Sequence, residues 1–128
     1  MYKFEECISS NVLNATNIAK TMIDNISEYF DNEELLYSLR LIIAELMVNG
    51  VEHGNKHDYN KKVYLCVEIE KNKKIIIRVK DQGKGMECGP DMHLNGLDKT
   101  CGRGLFIVSK LTDKLIINSN EIVAEIYL

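Results

Sequence analysis

The sequence predicts an α+β fold, a two-layer sandwich in which a mostly antiparallel mixed sheet carries about three helices on one face. Short runs of alternating apolar and polar residues predict strands, and three longer stretches carry apolar residues at helical spacing. Each predicted strand has only one apolar face. The helices are therefore expected to cover one side of the sheet, which is typical of an α+β fold rather than a doubly wound one.

The first half of the chain is predicted to contain a short strand and two helices. The strand covers about Tyr2 to Cys7, and a helix from about Val12 to Tyr29 follows it. After a break at Asp31-Asn32, the second helix runs from about Glu33 to His53. Gly54-Asn55 stops it.

The second half is predicted to contain a hairpin, a helix and two final strands. Val63 to Ile69 and Ile75 to Val79 alternate as two strands, with Lys71-Asn72 as the turn between them. A third helix runs from Gly102 to about Thr112. The chain ends with strands at Leu115 to Ile117 and Ile122 to Leu128, joined by a turn at Ser119-Asn120.

Composition favours an ordinary globular chain, with one domain over residues 1–128. Its net charge is −3 and its pI is about 5.6, so neither nucleic-acid nor membrane-surface binding is expected. The opening residues have no apolar signal region, and a cytoplasmic location is expected. Five lysines are interpreted as a solvated hairpin tip: Lys61, Lys62, Lys71, Lys73 and Lys74.

Cysteine and histidine spacing gives little support for a metal centre. Cys7, Cys66, Cys88 and Cys101 have no paired C-x-x-C spacing, so free thiols are expected. Cys88 and Cys101 with His93 lack recognisable zinc spacing and a fourth ligand. His53 and His57 lie four residues apart, but the helix is predicted to end at Gly54, which argues against a two-histidine site.

A polar stripe interrupts the apolar pattern of the second helix. At about 100° per residue, its members point within about 40° of one direction; they are Ser38, Glu45, Asn49 and Glu52. Apolar residues flank Glu45 and Asn49 on both sides, whereas a solvent-exposed helix face would not need apolar residues on both of its edges. A carboxylate and an amide in that setting predict the wall of a polar cavity, with a partly exposed helix edge as the alternative.

Two glycine-bearing segments form the other breaks. Asp81 continues the inward series of its strand, and Gly83 and Gly85 after it would let backbone approach a ligand closely. Gly102-Arg103-Gly104 opens the third helix, where unpaired N–H groups and a guanidinium suit phosphate. Ordinary turn chemistry and a simple helix cap remain the alternatives. Between these segments lies a loop of roughly twenty residues, a length that favours a functional lid.

Together these segments resemble the GHKL, or Bergerat, ATP-binding domain over nearly the whole chain. The stretch from Leu39 to Gly54 looks like its N box, and Val79 to Met86 looks like its first glycine box. Gly102 to Asp113 is similar to the second. The Glu52-His53-Gly54 ending is closest to the anti-sigma factor serine/threonine kinase branch. Gly50 departs from the alanine common in the family, and the lid lacks a long basic or glycine-rich run.

The resemblance implies a role for each matching residue. Asn49 would hold Mg²⁺ against the ATP phosphates, Glu45 would orient or deprotonate the attacking hydroxyl, and Asp81 would bind the adenine amino group. Gly83, Gly85 and Met86 would shape the base pocket, and residues 87–101 would form the lid. The remaining nucleotide-binding positions are Gly102, Arg103, Gly104 and Leu105.

The resemblance also implies a function: Mg-ATP-dependent phosphorylation of a small antagonist protein of the STAS kind. In the same interpretation the protein would be a homodimer and would bind a sigma factor when its antagonist is unavailable. Two alternatives stay open, a nucleotide-gated binding module without phosphotransfer and a detached histidine kinase catalytic domain.

Overall fold

A computed structural model describes residues 2–83 and 102–128, and the predicted strands and helices all lie there. The elements in chain order are β1 (Tyr2–Ser9), α1 (Val12–Ile26), a 3₁₀ turn (Ser27–Tyr29), α2 (Glu33–Asn49), a π-helical turn (Gly50–Gly54), β2 (Lys62–Glu70), β3 (Lys74–Lys80), α3 (Gly102–Leu111), β4 (Lys114–Asn118) and β5 (Glu121–Tyr127). The α+β prediction is confirmed.

Across residues 2–83 and 102–128 the sheet has five strands in the order β1-β2-β3-β5-β4, and each of these pairings is antiparallel. The turn predicted at Lys71-Asn72 joins β2 to β3, and Asn72 has a φ of 63°. Ser119 has a φ of 57° in the turn between β4 and β5. Both are left-handed positions at the tips of hairpins, as such tight turns require.

The helices form one layer with α2 in the middle, between α1 and α3. The core lies between that layer and the inward face of the sheet, where Leu65, Val67, Ile75, Ile77 and Ala124 pack against buried helix residues. Asn11 caps α1, since its side chain accepts hydrogen bonds from the N–H groups of Leu13 and Asn14. Within the ranges described, no helix has both the length and the apolar character needed to cross a bilayer.

The end of the second helix differs from the prediction. The sequence predicts a helix through His53, whereas α-helical geometry ends at Asn49 and one wider turn follows over Gly50–Gly54. In that turn the N–H of Asn55 donates to the carbonyl of Gly50 at 2.8 Å. A turn with i→i+5 bonding is rare and often marks a functional position.

Two further predictions need correction. The five lysines do not share a hairpin tip, because Lys61 and Lys62 lie at the start of β2 while Lys71, Lys73 and Lys74 lie at its far end. Leu128 does not continue the inward face of the last strand: β5 ends at Tyr127 and Leu128 is exposed. The two cysteines that the structure describes, Cys7 and Cys66, are free thiols.

Candidate functional site

Asp81 lies just beyond the end of β3 and points inward, as its place in the alternating series predicts. It is only 6% exposed. Burial raises the pKa of its carboxyl above the ordinary value, while the hydrogen bond from the Gly83 N–H and the nearby Lys61 charge act in the opposite direction. The net result is a poorly solvated carboxylate, which is a strong acceptor for a ligand's N–H donor.

The backbone around Asp81 approaches so closely that only glycine fits. A Cβ at Gly54 would overlap the Asp81 carboxylate, and a Cβ at Gly83 would overlap the carbonyl of Gly54. At Gly50 the nearest atom to a Cβ would be Cγ1 of Val63, at 3.1 Å, with Cβ of Asp81 at 3.7 Å. The π-helical turn therefore brings the end of the N box directly against the first glycine box.

Glu45 makes the corresponding contact with the second glycine box. Its side chain is partly buried, and a Cβ at Gly104 would overlap one of its carboxylate oxygens. Asn49, one turn further along α2, is 9% exposed. The second half of α2 and the π-helical turn that continues it are thus flanked by the first turn of α3, at Glu45, and by Asp81, at Gly54. The three predicted motifs meet along this one helix.

The other members of the polar stripe lie outside this arrangement. Glu52 is exposed, and Ser38 is partly buried near the opposite end of α2. Of the apolar flanks, Ile42 and Leu46 are fully buried. Of the four, only Glu45 and Asn49 lie in the second half of α2 and are at least partly buried, and the cavity wall stays a prediction for these two residues.

The remaining predicted positions are placed only in part. Gly85, Met86 and the lid over 87–101 lie outside the described residues. Gly102 and Arg103 begin α3. Leu105 is 1% exposed and belongs to the hydrophobic core, so a nucleotide could contact only its backbone. These assignments stay predictions.

Two asparagines near Asp81 carry contacts that the sequence does not indicate. Asn55 accepts the N–H of Gln82 at 2.8 Å and donates to the carbonyl of Lys62 at 2.9 Å. Asn120 donates to the carbonyl of Asp81 at 2.6 Å. In the sequence the first is indistinguishable from a residue that ends a helix, and the second from a turn residue. No local sequence signal indicates that both asparagines bond to the segment of Asp81 and Gln82.

Asn49 and Asp81 have chemistry that suits a nucleotide with a hard cation, because one carries an amide oxygen and the other a buried carboxylate. Among residues 2–83 and 102–128, no cluster of three His, Cys, Asp or Glu side chains is arranged to hold a metal. A Mg²⁺ ion beside Asn49 would take most of its ligands from phosphate oxygens and water, as this ion usually does. Asp81 offers a buried acceptor for a base.

Comparison with known families gives one match. The family model of the histidine kinase-like ATPase domain matches residues 10–126, which is nearly the whole chain. No curated protein matches the sequence. The matched span contains α2, Asp81 and α3, the three elements that meet in the structure. The chain therefore belongs to the histidine kinase-like ATPase family, whose domains bind ATP.

Proposed function

We propose that the protein is a Mg-ATP-dependent serine/threonine kinase of the anti-sigma type. Family membership supports ATP binding and an ATP-dependent activity. The Glu52-His53-Gly54 ending, which resembles that of the anti-sigma factor kinase branch, supports the choice of branch. The proposed substrate is a hydroxyl of a small STAS-like antagonist protein.

The nucleotide is proposed to lie along the second half of α2. The Asp81 carboxylate would accept a hydrogen bond from the exocyclic amine of adenine. The phosphates would lie at the beginning of α3, where the backbone N–H groups of Gly102, Arg103 and Gly104 and the Arg103 guanidinium would bind them. The side chain of Asn49 would contribute one oxygen to Mg²⁺, which neutralises phosphate charge when bound.

One observation carries the kinase proposal: the Glu45 carboxylate lies against Gly104 in the first turn of α3. If phosphates occupy that turn, Glu45 is next to the γ-phosphoryl group. There it could orient an incoming hydroxyl and accept its proton while the phosphoryl group passes to the oxygen. Phosphoryl transfer needs mainly positioning and charge stabilisation, which this arrangement supplies.

The proposal extends to partners. A homodimer would present two such sites, and a sigma factor would be held when the antagonist is absent or already phosphorylated. Both belong to the anti-sigma interpretation. Identification of the partner protein would test that interpretation.

The test is incubation of the protein with γ-labelled Mg-ATP and candidate STAS-like proteins. Label on a partner serine or threonine supports the proposal. Tight ATP binding without transfer indicates a nucleotide-gated binding module, and acid-labile phosphohistidine indicates a histidine kinase domain. Glu45→Gln should retain ATP binding and lose at least about 100-fold in transfer rate, the usual scale of general-base catalysis. Glu34→Gln, an exposed glutamate of the same helix, is the matched control and should transfer normally.

A further inference from the structure

The side-chain amides of Asn55 and Asn120 bond to the N–H and the carbonyl of the peptide group between Asp81 and Gln82, and together we call these two residues the amide clamp. We propose that the amide clamp is a pair of positioning residues that sets selectivity for adenine over purines with a 6-oxo group. The inference rests on the proposed contact between Asp81 and the adenine amine. Neither residue needs to touch the nucleotide.

Asn120 fixes the peptide groups on either side of the Asp81 Cα. Its backbone carbonyl accepts the N–H of Asp81 at 3.0 Å. Its side-chain amide donates to the carbonyl of Asp81 at 2.6 Å. One residue of the β4–β5 turn thereby determines where the end of β3 lies, although the two segments are 39 positions apart in the chain.

Asn55 holds the second of these peptide groups, the one between Asp81 and Gln82, from its N–H side. It is 1% exposed, and its side chain uses the oxygen for the N–H of Gln82 and the nitrogen for the carbonyl of Lys62. Its own N–H donates to the carbonyl of Gly50. Asn55 thus ties together the end of α2, the start of β2 and the residue after Asp81.

These bonds leave little freedom for the carboxylate. The N–H groups of Asp81, Gln82 and Gly83 have as partners the Asn120 carbonyl, the Asn55 amide and the Asp81 carboxylate itself. Gly54 closes the remaining side, because its backbone lies directly against the carboxylate. A carboxylate fixed in this way accepts a hydrogen bond from a 6-amino group and repels a 6-oxo group. A mobile carboxylate could turn away from the 6-oxo group.

The test compares the affinities of Mg-ATP and Mg-ITP, which differ at the 6-position of the base, by calorimetry on the full chain. Asn120→Ala removes only the donor to the Asp81 carbonyl, since the backbone bond remains possible. We expect the ratio of the ITP to the ATP dissociation constant to fall by about three- to tenfold, the scale of one lost hydrogen bond. Asn118→Ala is the matched control, because Asn118 is exposed in the same hairpin. Asn118→Ala should leave the ratio of the ITP to the ATP dissociation constant at the wild-type value.

Asn55→Ala provides a second arm and should lower the ratio further, since it leaves the Gln82 N–H without its partner. Thermal melting shows which variants are folded, and if Asn55→Ala is not folded, Asn120→Ala decides alone. A role in folding stability only would lower the melting temperature while the ITP to ATP ratio stayed at the wild-type value. That result would overturn the inference while leaving the adenine contact intact. If the wild-type protein binds ATP and ITP equally, the proposed adenine contact is itself wrong, and the amide clamp proposal fails with it.

Discussion

Asp81 combines two properties that are usually kept apart, a carboxylate and near-complete burial. Its desolvation is unfavourable for the folded protein. The same desolvation favours a hydrogen bond to a ligand, because a poorly hydrated acceptor gives up little hydration when a donor binds to it. We therefore expect Asp81→Asn to weaken Mg-ATP binding by more than about tenfold and to leave the unliganded protein equally stable or more stable. Calorimetry and thermal melting measure the two effects separately. Unchanged ATP affinity would contradict the adenine assignment.

The pH dependence of stability gives a second prediction for Asp81. Because its pKa is raised in the folded state, the native protein holds this proton at pH values where the unfolded chain has released it. The contribution of Asp81 to the free energy of unfolding is then highest below about pH 3.8, the ordinary pKa of an aspartate side chain. It falls as the pH rises from there through the higher folded pKa. The unfolding free energy of the wild type minus that of Asp81→Asn should therefore decrease as the pH rises through that window. Denaturant titrations of both proteins would measure it. If the wild-type value minus the variant value increases with pH instead, Lys61 and the Gly83 N–H lower the pKa of Asp81 by more than burial raises it.

Gly54 is the residue whose replacement should disturb the site most for the smallest chemical change. In Gly54→Ala the added methyl group would overlap the Asp81 carboxylate, so the backbone must shift. Overpacking of this kind costs about 1–3 kcal/mol of unfolding free energy, and the displaced carboxylate should lower ATP affinity by more than about tenfold.

Gly50→Ala is the control for that variant, made in the same turn. Its Cβ would meet a movable Val63 methyl group at 3.1 Å, and the gain in helix propensity of about 1 kcal/mol offsets the tight contact. A small effect at both glycines would show that the turn accommodates side chains and that contact with Asp81 does not constrain Gly54.

At the scale of elements, periodicity predicted where strands and helices lie but not the details that build the site. The alternation in Ile75 to Val79 correctly placed Asp81 on the inward face. The pattern could not reveal that α2 widens after Asn49, because the residues buried in the wider turn, Gly50, Val51 and Gly54, have the spacing that an α-helix would also show. The outward face is also drier than alternation implies: Val123 is 8% exposed between Arg78 and Ile116. The aliphatic part of a long side chain such as Arg78 can cover an apolar neighbour.

Helix α1 provides a test of whether stability and nucleotide binding are separable at this scale. Asn11→Ala removes the side-chain oxygen that accepts two N–H groups at the start of the helix. We expect a loss of about 1 kcal/mol in unfolding free energy, with the ATP dissociation constant unchanged, because none of the proposed site residues lies on α1. Asn25→Ala, at an exposed position of the same helix, should keep or raise stability. A weaker ATP affinity in Asn11→Ala would mean that α1 influences the site through α2.

For the whole molecule, it was the resemblance of the three motifs, in their order along the chain, to the GHKL domain that predicted which segments would meet. The structure brings Glu45 to Gly104 and Gly54 to Asp81, pairs that are distant in sequence and joined only by the fold. The contacts of Asn55 and Asn120 escaped prediction for the same reason. An asparagine after a helix or in a turn has many local uses, and its long-range partners become apparent only when the strands are assembled.

The prediction that residues 1–128 form one domain can be tested together with ATP binding. A single core should unfold in one cooperative calorimetric transition, with calorimetric and van't Hoff enthalpies equal. Mg-ATP at about 100 times its dissociation constant should add about 2.7 kcal/mol, which for a chain of this length raises the melting temperature by about 10 °C. Asp81→Asn should lose about half of that shift or more at the same nucleotide concentration, and chelation of Mg²⁺ should reduce the shift in the wild-type protein. Two separate transitions, with only one moved by ATP, would show that the chain does not fold as a unit.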